Sequence, residues 1–320
     1  MSQREMKFVP TPEQIELYKS TARQDEIGAA ARKAFAQMLA APLRKTTDKI
    51  STVREIFTSI PLGPGADNLF PLDTDDINAY TMPKDGGVPQ NLIEGDAVRV
   101  PTFTIGADVQ WRLSFANQAR FDVPARAIHK LRQAITRKEE LNGWATILAA
   151  AANSTNSATI LGSGFVKEVL SNMMVQIKRA NGDSGGTLTD LYLSPEAMAD
   201  IRAWTEAEVD ELTRKEILRD AGLRSLYNVR LHEMTEFGNG QQYNIIYADF
   251  DSAVTDGSQE VVIGLDLSME DSFVMPVRQE LATFDNPMAI TQFKQGVLAY
   301  EEIGFGVIDE RRVAVGVFQV

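Results

Sequence analysis

The sequence has 320 residues, with 32 lysines and arginines against 44 aspartates and glutamates, for a net charge of −12. At roughly 100–200 residues per domain, this length predicts about two domains with ample chain for a buried core. An apolar content of 44% and a charged content of 24% exclude collagenous, coiled-coil and disordered proteins. No stretch approaches the roughly 18 apolar residues of a membrane-spanning helix. No apolar signal segment follows Met1, so we expect neither export nor a membrane partner.

Reactive side chains are scarce. The absence of cysteine rules out disulfides, thiolate metal sites and cysteine nucleophiles, and His129 and His232 are the only histidines. We therefore expect no catalytic residue, no metal and no cofactor. The overall acidity argues against a general nucleic-acid binder, although a local basic face remains possible.

Two local motifs suggest chemistry that their surroundings do not support. Residues 182–186 read Gly-Asp-Ser-Gly-Gly, as around a serine-protease nucleophile, but His129 is the only upstream histidine and lies on a predicted helix. These residue types are equally typical of a turn. The acidic run at residues 73–76 lacks the glycine and glutamate of a calcium loop, because Asn78 and Lys84 occupy those positions. We interpret it as a solvated acidic tip.

Residues 1–50 form a basic N-terminal arm. Thr11 can cap a helix over residues 11–41, and Pro12 suits its first position. The arm holds nine basic and six acidic residues, a net of +3 in a chain of −12. Its thin apolar stripe predicts that it lies against another surface.

Residues 51–110 predict an extended two-stranded finger. Residues 52–60 and 98–105 are its strand candidates, and five prolines and five glycines lie between Pro61 and Gly95. A flexible linker would not carry the large apolar side chains found there. We therefore expect the finger to bury them against a neighbouring subunit. The expected contacts are Phe70, Asp73, Asp75, Asp76, Ile77, Tyr80 and Met82.

Residues 124–152 predict one long helix, about 40 Å at 1.5 Å per residue. Apolar residues recur at helical spacing from Ile128 to Leu148. Five basic residues and no acidic one lie between positions 126 and 138. The pattern is typical of a solvated face and also fits a contact with phosphate. The five residues are Arg126, Lys130, Arg132, Arg137 and Lys138.

The rest of the chain mixes helices and strands without regular βαβ units, which indicates an α+β class. Helices are predicted at 165–181, from Ser194 through Trp204, and at 206–220. Strands are predicted at 191–193, 226–232, 243–248 and 260–267. Residues 288–308 and 311–318 read as a long hairpin that turns at Asp309 and Glu310.

This order of elements resembles the major capsid protein of tailed bacteriophages, with its Hong Kong 97-type fold. Three segments carry local resemblance: residues 122–127 (DVPARA), residues 191–196 (LYLSPE), and residues 295–302 (QGVLAYEE) continuing into 309–314 (DERRVA). The resemblance implies a division into an N-terminal arm (1–50), an E-loop finger (51–110), a P-domain with the spine helix (111–158), an A-domain (159–282) and closing P-domain strands (283–320).

The resemblance also implies a function. Pentamers and hexamers of the chain would form an icosahedral shell around double-stranded DNA, assembled in the host cytoplasm and found in the virion capsid. The arm is too short to include the scaffolding segment of some relatives, which implies a separate scaffolding protein beside a portal and decoration proteins. The basic residues of the long helix would face the DNA, and the finger would contact neighbouring subunits.

Two other classes remain open. An encapsulin-like compartment shares the fold and encloses cargo protein instead of DNA. An acidic α+β enzyme is the third class, and a bound small-molecule substrate would support it.

Overall fold

The computed structural model describes residues 51–63, 65–72, 96–112, 122–181, 186–204, 225–252, 254, 257–286 and 293–319. The expected N-terminal arm and the expected helix at 206–220 lie outside these residues. Within them the elements, in chain order, are α1 (Val53–Ile56), β1 (Thr58–Pro61), β2 (Leu69–Leu72), β3 (Asp96–Arg99), β4 (Phe103–Arg112), α2 (Asp122–Asn153), β5 (Ser157–Ser163), α3 (Lys167–Ala180), β6 (Asp190–Leu193), α4 (Pro195–Ala203), β7 (Ser225–Leu226), β8 (Val229–Glu233), α5 (Gln242–Phe250), β9 (Gln259–Leu265), β10 (Phe273–Asp285), β11 (Lys294–Ile303), β12 (Gly306–Val307) and β13 (Val313–Gln319).

A five-stranded sheet has the order β1-β10-β11-β4, with β12 also paired to β10. Strand β1 runs parallel to β10, and the other pairs are antiparallel. Strands β4 and β11 pair along their whole length, from Arg112 opposite Lys294 to Phe103 opposite Ile303. Because side chains alternate along a strand, this sheet has an inner face and an outer face. The inner face, which includes Ile105 and Val297, belongs to the same core as α2.

A six-stranded sheet has the order β5-β13-β9-β6-β8-β7. Strands β9 and β13 are buried on both faces, which explains their nearly unbroken apolar sequences. Helices α3 and α4 pack against one face, and α2 and α5 share a core with the other.

The long helix α2 joins the two sheets. The sequence predicted it at residues 124–152, and it spans Asp122–Asn153. Trp144, on its buried face, makes edge contacts with Tyr192 and Phe237 and stacks on Tyr243. This aromatic cluster fixes α2 against β6 and α5.

The base of the finger differs from the prediction. Residues 52–60 form helix α1 followed by β1, and β1 pairs with β10 instead of with the returning strand. The finger strands are β2 and β3, and a break at residues 100–102 separates β3 from β4. Pro71 lies within β2, which as one strand of a two-stranded ribbon has an open edge where proline is tolerated.

Two other predictions are wrong. Residues 243–248 belong to helix α5, because the spacing of Tyr243 and Tyr247 places both rings on one helical face toward the core. The predicted C-terminal hairpin does not form: β11 pairs with β10 and β4, whereas β13 enters the six-stranded sheet between β5 and β9. Strand β10 spans Phe273–Asp285 and so includes residues 282 and 283, between which the resemblance places a boundary; the division into domains stays a prediction. The last strand completes the sheet of the expected A-domain.

Candidate assembly surfaces

The finger begins as a short ribbon in which Leu69 lies opposite Arg99 and Leu72 opposite Asp96. Leu69 is exposed, whereas Phe70 is buried against Val100 and Val274 of the same chain. Phe70 therefore stabilises the base of the finger from within and has little surface left for a neighbour. The other expected contacts, Asp73, Asp75, Asp76, Ile77, Tyr80 and Met82, lie outside the described residues.

The basic residues of α2 do not share one face. Lys130 and Arg137 are exposed, and their spacing of seven residues places them on the same side of the helix. The side chain of Arg126 lies outside the described residues. Lys138 is exposed on a neighbouring face. Arg132 is half-buried, and burial lowers the pKa of its guanidinium. Of the five expected residues, Lys130 and Arg137 therefore form an exposed pair on one face of α2.

Lys138 also borders a groove of about 470 Å³ between α2 and β4. Asn142 and Ala145 line the groove from the helix, and residues 103–106 line it from the strand. Apart from Lys138 the lining carries no charged side chain.

The outer face of the five-stranded sheet carries large apolar side chains. Phe284 lies opposite Leu298, and the two are 47% and 37% exposed. The ring of Phe284 stacks on that of Tyr300 at 5.3 Å between centroids. Gly106, opposite Tyr300 on β4, adds no side chain to cover it. These residues leave an apolar stripe on a sheet face that α2 does not cover.

The same face becomes basic at one end. Leu298 is the fourth residue after Lys294 on β11, so the alternation of side chains places both on the same side of the strand. Lys294 lies directly opposite Arg112. Asp108 lies on the same face of β4, opposite Leu298, so the two cations border a carboxylate as well as the apolar stripe. This surface was not predicted from the sequence, although the alternation of residues 297–302 (VLAYEE) places large side chains on both faces.

A buried charged cluster joins three elements behind that sheet. Arg54 of α1 donates through Nε to Glu139 Oε1 of α2, and through Nη2 to Glu301 Oε2 of β11 at 3.2 Å. The side chains of Glu139 and Glu301 are both 0% exposed, and that of Arg54 is 21% exposed. Burial raises the pKa of Glu139 to about 8; Arg54 opposes that shift and Glu301 adds to it. Glu140 accepts a hydrogen bond from the Val53 N–H at 3.2 Å.

A second ion cluster lies in the six-stranded sheet. Asp190 accepts hydrogen bonds from Arg230 and pairs with His232, both at 2.8 Å. Burial raises the pKa of Asp190, but these hydrogen bonds outweigh burial and the net pKa is below its usual value.

The other histidine, His129, is exposed on α2. In the part of the chain that the structure describes, no group of three acidic or histidine side chains could hold a metal ion.

Ser194 illustrates how the sheet holds α4. Its hydroxyl accepts from the Ala197 N–H at 2.9 Å and so caps the helix, which the sequence predicted to begin at this residue. The same hydroxyl donates to the buried carboxylate of Glu260.

No described helix is long and apolar enough to cross a membrane.

No protein-family model matches the sequence, and no curated protein matches it either. Solved structures are similar to it. The capsid structure of the cyanophage P-SCSP1u has a TM-score of 0.56 at 12% identity, over 82% of this chain and 86% of that chain. The mature capsid of bacteriophage PhiM1 has a TM-score of 0.53 at 14% identity, over 84% of this chain and 87% of that chain. The virus-like particle from Pyrococcus furiosus has a TM-score of 0.51 at 13% identity, over 88% of this chain and 98% of that chain.

Identities this low establish the fold alone. The chain has the α+β, Hong Kong 97-type fold that its order of elements predicted.

Proposed function

We propose that this chain is the major capsid protein of a tailed bacteriophage and that copies of it assemble into the icosahedral shell around the viral DNA. The observation that carries the proposal is the fold itself, shared along more than four-fifths of the chain with capsid structures of two phages. The role is structural and needs no chemistry. The virion capsid is then its location, the host cytoplasm its place of assembly, and scaffolding, portal and decoration proteins its partners.

Contacts between copies would use the finger. Residues 66–96 hold seven acidic residues and Lys84 as the one basic residue, a net of −6. The outer face of the five-stranded sheet offers what such a segment needs, because Arg112 and Lys294 lie at one end of an apolar stripe. We infer that Asp73, Asp75 and Asp76 of one copy approach these two cations of a neighbour. Ile77, Tyr80 and Met82 would then cover the stripe of Phe284, Leu298 and Tyr300.

The exposed face of α2 with Lys130 and Arg137 is the proposed DNA-facing surface, together with Arg126, Lys138 and the half-buried Arg132. Side chains of this kind act through phosphate charge and do not read base sequence. The acidity of the whole chain keeps that attraction weak, so packaged DNA stays mobile inside the shell.

Self-assembly tests the proposal. The purified chain, with the scaffolding protein if needed, is examined by sedimentation velocity and negative-stain microscopy, and closed shells are expected. Phe284→Ser should reduce the fraction in shells several-fold and leave the folded subunit intact. The matched control is Val175→Ser, an exposed apolar residue on α3. A chain that stays monomeric at every concentration would contradict the proposal.

An encapsulin-like compartment is the second candidate, favoured by the similarity to the virus-like particle. The contents of the shell distinguish the two. Nuclease-protected double-stranded DNA in particles from the native source supports the capsid, and a co-purified cargo protein without DNA supports the compartment.

A further inference from the structure

The finger leaves the body of the subunit through two short segments, which we call its roots. Residues 66–68 lead into β2, and residues 100–102 follow β3. The Val100 N–H of the second root donates to the Asn68 carbonyl of the first at 3.0 Å. The two roots are therefore joined to each other before they meet the sheet.

Arg278 is the extra residue of a β-bulge in β10. Val277 lies opposite Ile303 and Gln279 opposite Glu302, so β10 uses two residues where β11 uses one. A bulge turns its extra residue out of the regular alternation and can aim that side chain at a particular place. Here the residue is an arginine, whose planar guanidinium can donate to two acceptors at once.

The guanidinium of Arg278 contacts both roots. Its Nη2 donates to Asn68 Oδ1 at 3.1 Å. Its Nε lies 3.6 Å from Glu302 Oε1, and the same oxygen accepts a hydrogen bond from the Thr102 hydroxyl at 3.1 Å. Arg278 therefore holds the first root directly and the second root through Glu302.

The finger has a second attachment to β10, because Phe70 packs against Val274. Arg278 is the fourth residue after Val274 on that strand. One contact would let the finger swing about it, whereas two contacts spaced along the same strand fix a direction. The side chains of Arg278 and Glu302 are 45% and 30% exposed, and ion pairs this exposed contribute little to folding stability. The contact of Arg278 therefore matters for direction more than for stability.

We infer that Arg278 is a positioning residue that sets the direction in which the finger leaves the subunit. What this direction serves rests on the proposed function. Glu302 is the eighth residue after Lys294 on β11, so both side chains lie on the outer face of the sheet, at opposite ends. The finger thus begins near one end of that face, and its proposed contact on a neighbour lies at the other end. A finger that leaves at another angle would carry its acidic residues past Arg112 and Lys294 of the neighbour.

Distances between two spin labels, measured by electron paramagnetic resonance, test the direction in the full-length unassembled chain. The sequence has no cysteine, so two introduced cysteines are the only labelled positions. Ala97→Cys places a label at an exposed position of β3, and Val175→Cys places one at an exposed position of α3. Labelled chain is diluted with unlabelled chain, so that only distances within one subunit are measured.

The parent chain should give one narrow distance distribution. Arg278→Gln should broaden it by about twofold or more, because the shorter and uncharged side chain cannot hold both roots. Glu302→Gln should broaden it less, since the bond between Arg278 and Asn68 remains. A broad distribution in the parent chain, or equal distributions in the parent chain and Arg278→Gln, would overturn the inference.

Arg202→Gln is the matched control. Arg202 of α4 pairs with Glu233 of β8 at 3.3 Å, and its side chain is 40% exposed. The control should keep the narrow distribution, and equal broadening in it would overturn the specific role of Arg278. A second label pair, Ile245→Cys on α5 with Val175→Cys, reports on the body of the subunit. It should stay narrow in every variant, which separates a change of direction from partial unfolding.

Shell assembly tests what the direction serves. Arg278→Gln should lower the fraction of chain in shells several-fold relative to Arg202→Gln. Normal shells together with a broadened distribution would overturn the role of Arg278 in assembly, while its control of the direction would stand. The distance measurement needs no shell, so it can fail while the capsid function stands, or succeed without it.

Discussion

Gly143 in the middle of α2 lies directly beneath Val53 of α1. A β-carbon added at Gly143 would overlap the Val53 side chain, with Val53 Cγ2 at 2.8 Å and Val53 Cβ at 3.1 Å. Val53 itself is fully buried. The glycine, which weakens an isolated helix, is therefore the gap into which the segment before the finger packs.

Gly143→Ala should destabilise the subunit by about 1–3 kcal/mol, because overpacking outweighs the roughly 1 kcal/mol that alanine gains in a helix. In a Val53→Ala background most of the overlap is gone. There, Gly143→Ala should be neutral or stabilising. A double-mutant cycle by urea unfolding measures the coupling, and a stabilising Gly143→Ala in the wild-type background would contradict the packing described.

The sequence predicts α2 well because its signals are local. Apolar residues recur at helical spacing from Ile128 onward, and the polar run after Asn153 ends the helix. The apolar sequences of β9 and β13 also predict strands. Their partners are not predictable in the same way, because both faces of β13 are buried and long-range packing, not the turn at Asp309, selects β9 as its neighbour.

The sequence predicts the candidate surfaces only in part. Lys130, Arg137 and Lys138 are exposed as expected, while Arg132 is half-buried because the helix turns that residue toward the protein. Nothing local distinguishes Glu139 from Glu140, or Glu301 from Glu302. Which glutamate of each pair is buried depends on how α1, α2 and β11 meet, and that arrangement is a tertiary property.

Asp190→Asn should destabilise the chain at neutral pH by about 1–2 kcal/mol, since it removes the charge that His232 and Arg230 bind. The pKa of Asp190 is lowered from 3.8 in the folded state, so its contribution is present above that pH and is lost as the pH falls through the folded pKa. Wild-type and variant stabilities should therefore converge in acid. A difference that stays constant down to acid pH would contradict the role of the charge.

Reversing Asp73, Asp75 and Asp76 to lysine should impair assembly, because the finger tip would then approach Arg112 and Lys294 with like charge. Combining it with Arg112→Glu and Lys294→Glu should restore shells. The measurement is the fraction of chain that sediments as particles, and the Arg112/Lys294 double variant alone is the control. Normal shells from the triple variant, or no rescue in the combination, would place the finger contact elsewhere.

Lys130→Gln with Arg137→Gln should leave empty shells intact and lower the yield or heat stability of DNA-filled particles. The two side chains share an exposed face and would lose two charges that contact phosphate. The control is Lys178→Gln with Arg179→Gln, an equal change of charge at exposed positions on α3. Equal loss of filled particles in both pairs would indicate a general effect of net charge.

A cryo-electron microscopy reconstruction of the assembled particle would show the DNA-facing surface and the finger contact together. We expect a closed icosahedral shell in which α2 turns Lys130 and Arg137 to the interior. We also expect residues 73–82 of each copy to lie on the outer sheet face of a neighbour, beside Arg112 and Lys294. Particles that are absent, or a shell in which that basic face of α2 points outward and the finger contacts its own subunit, would contradict the proposed function.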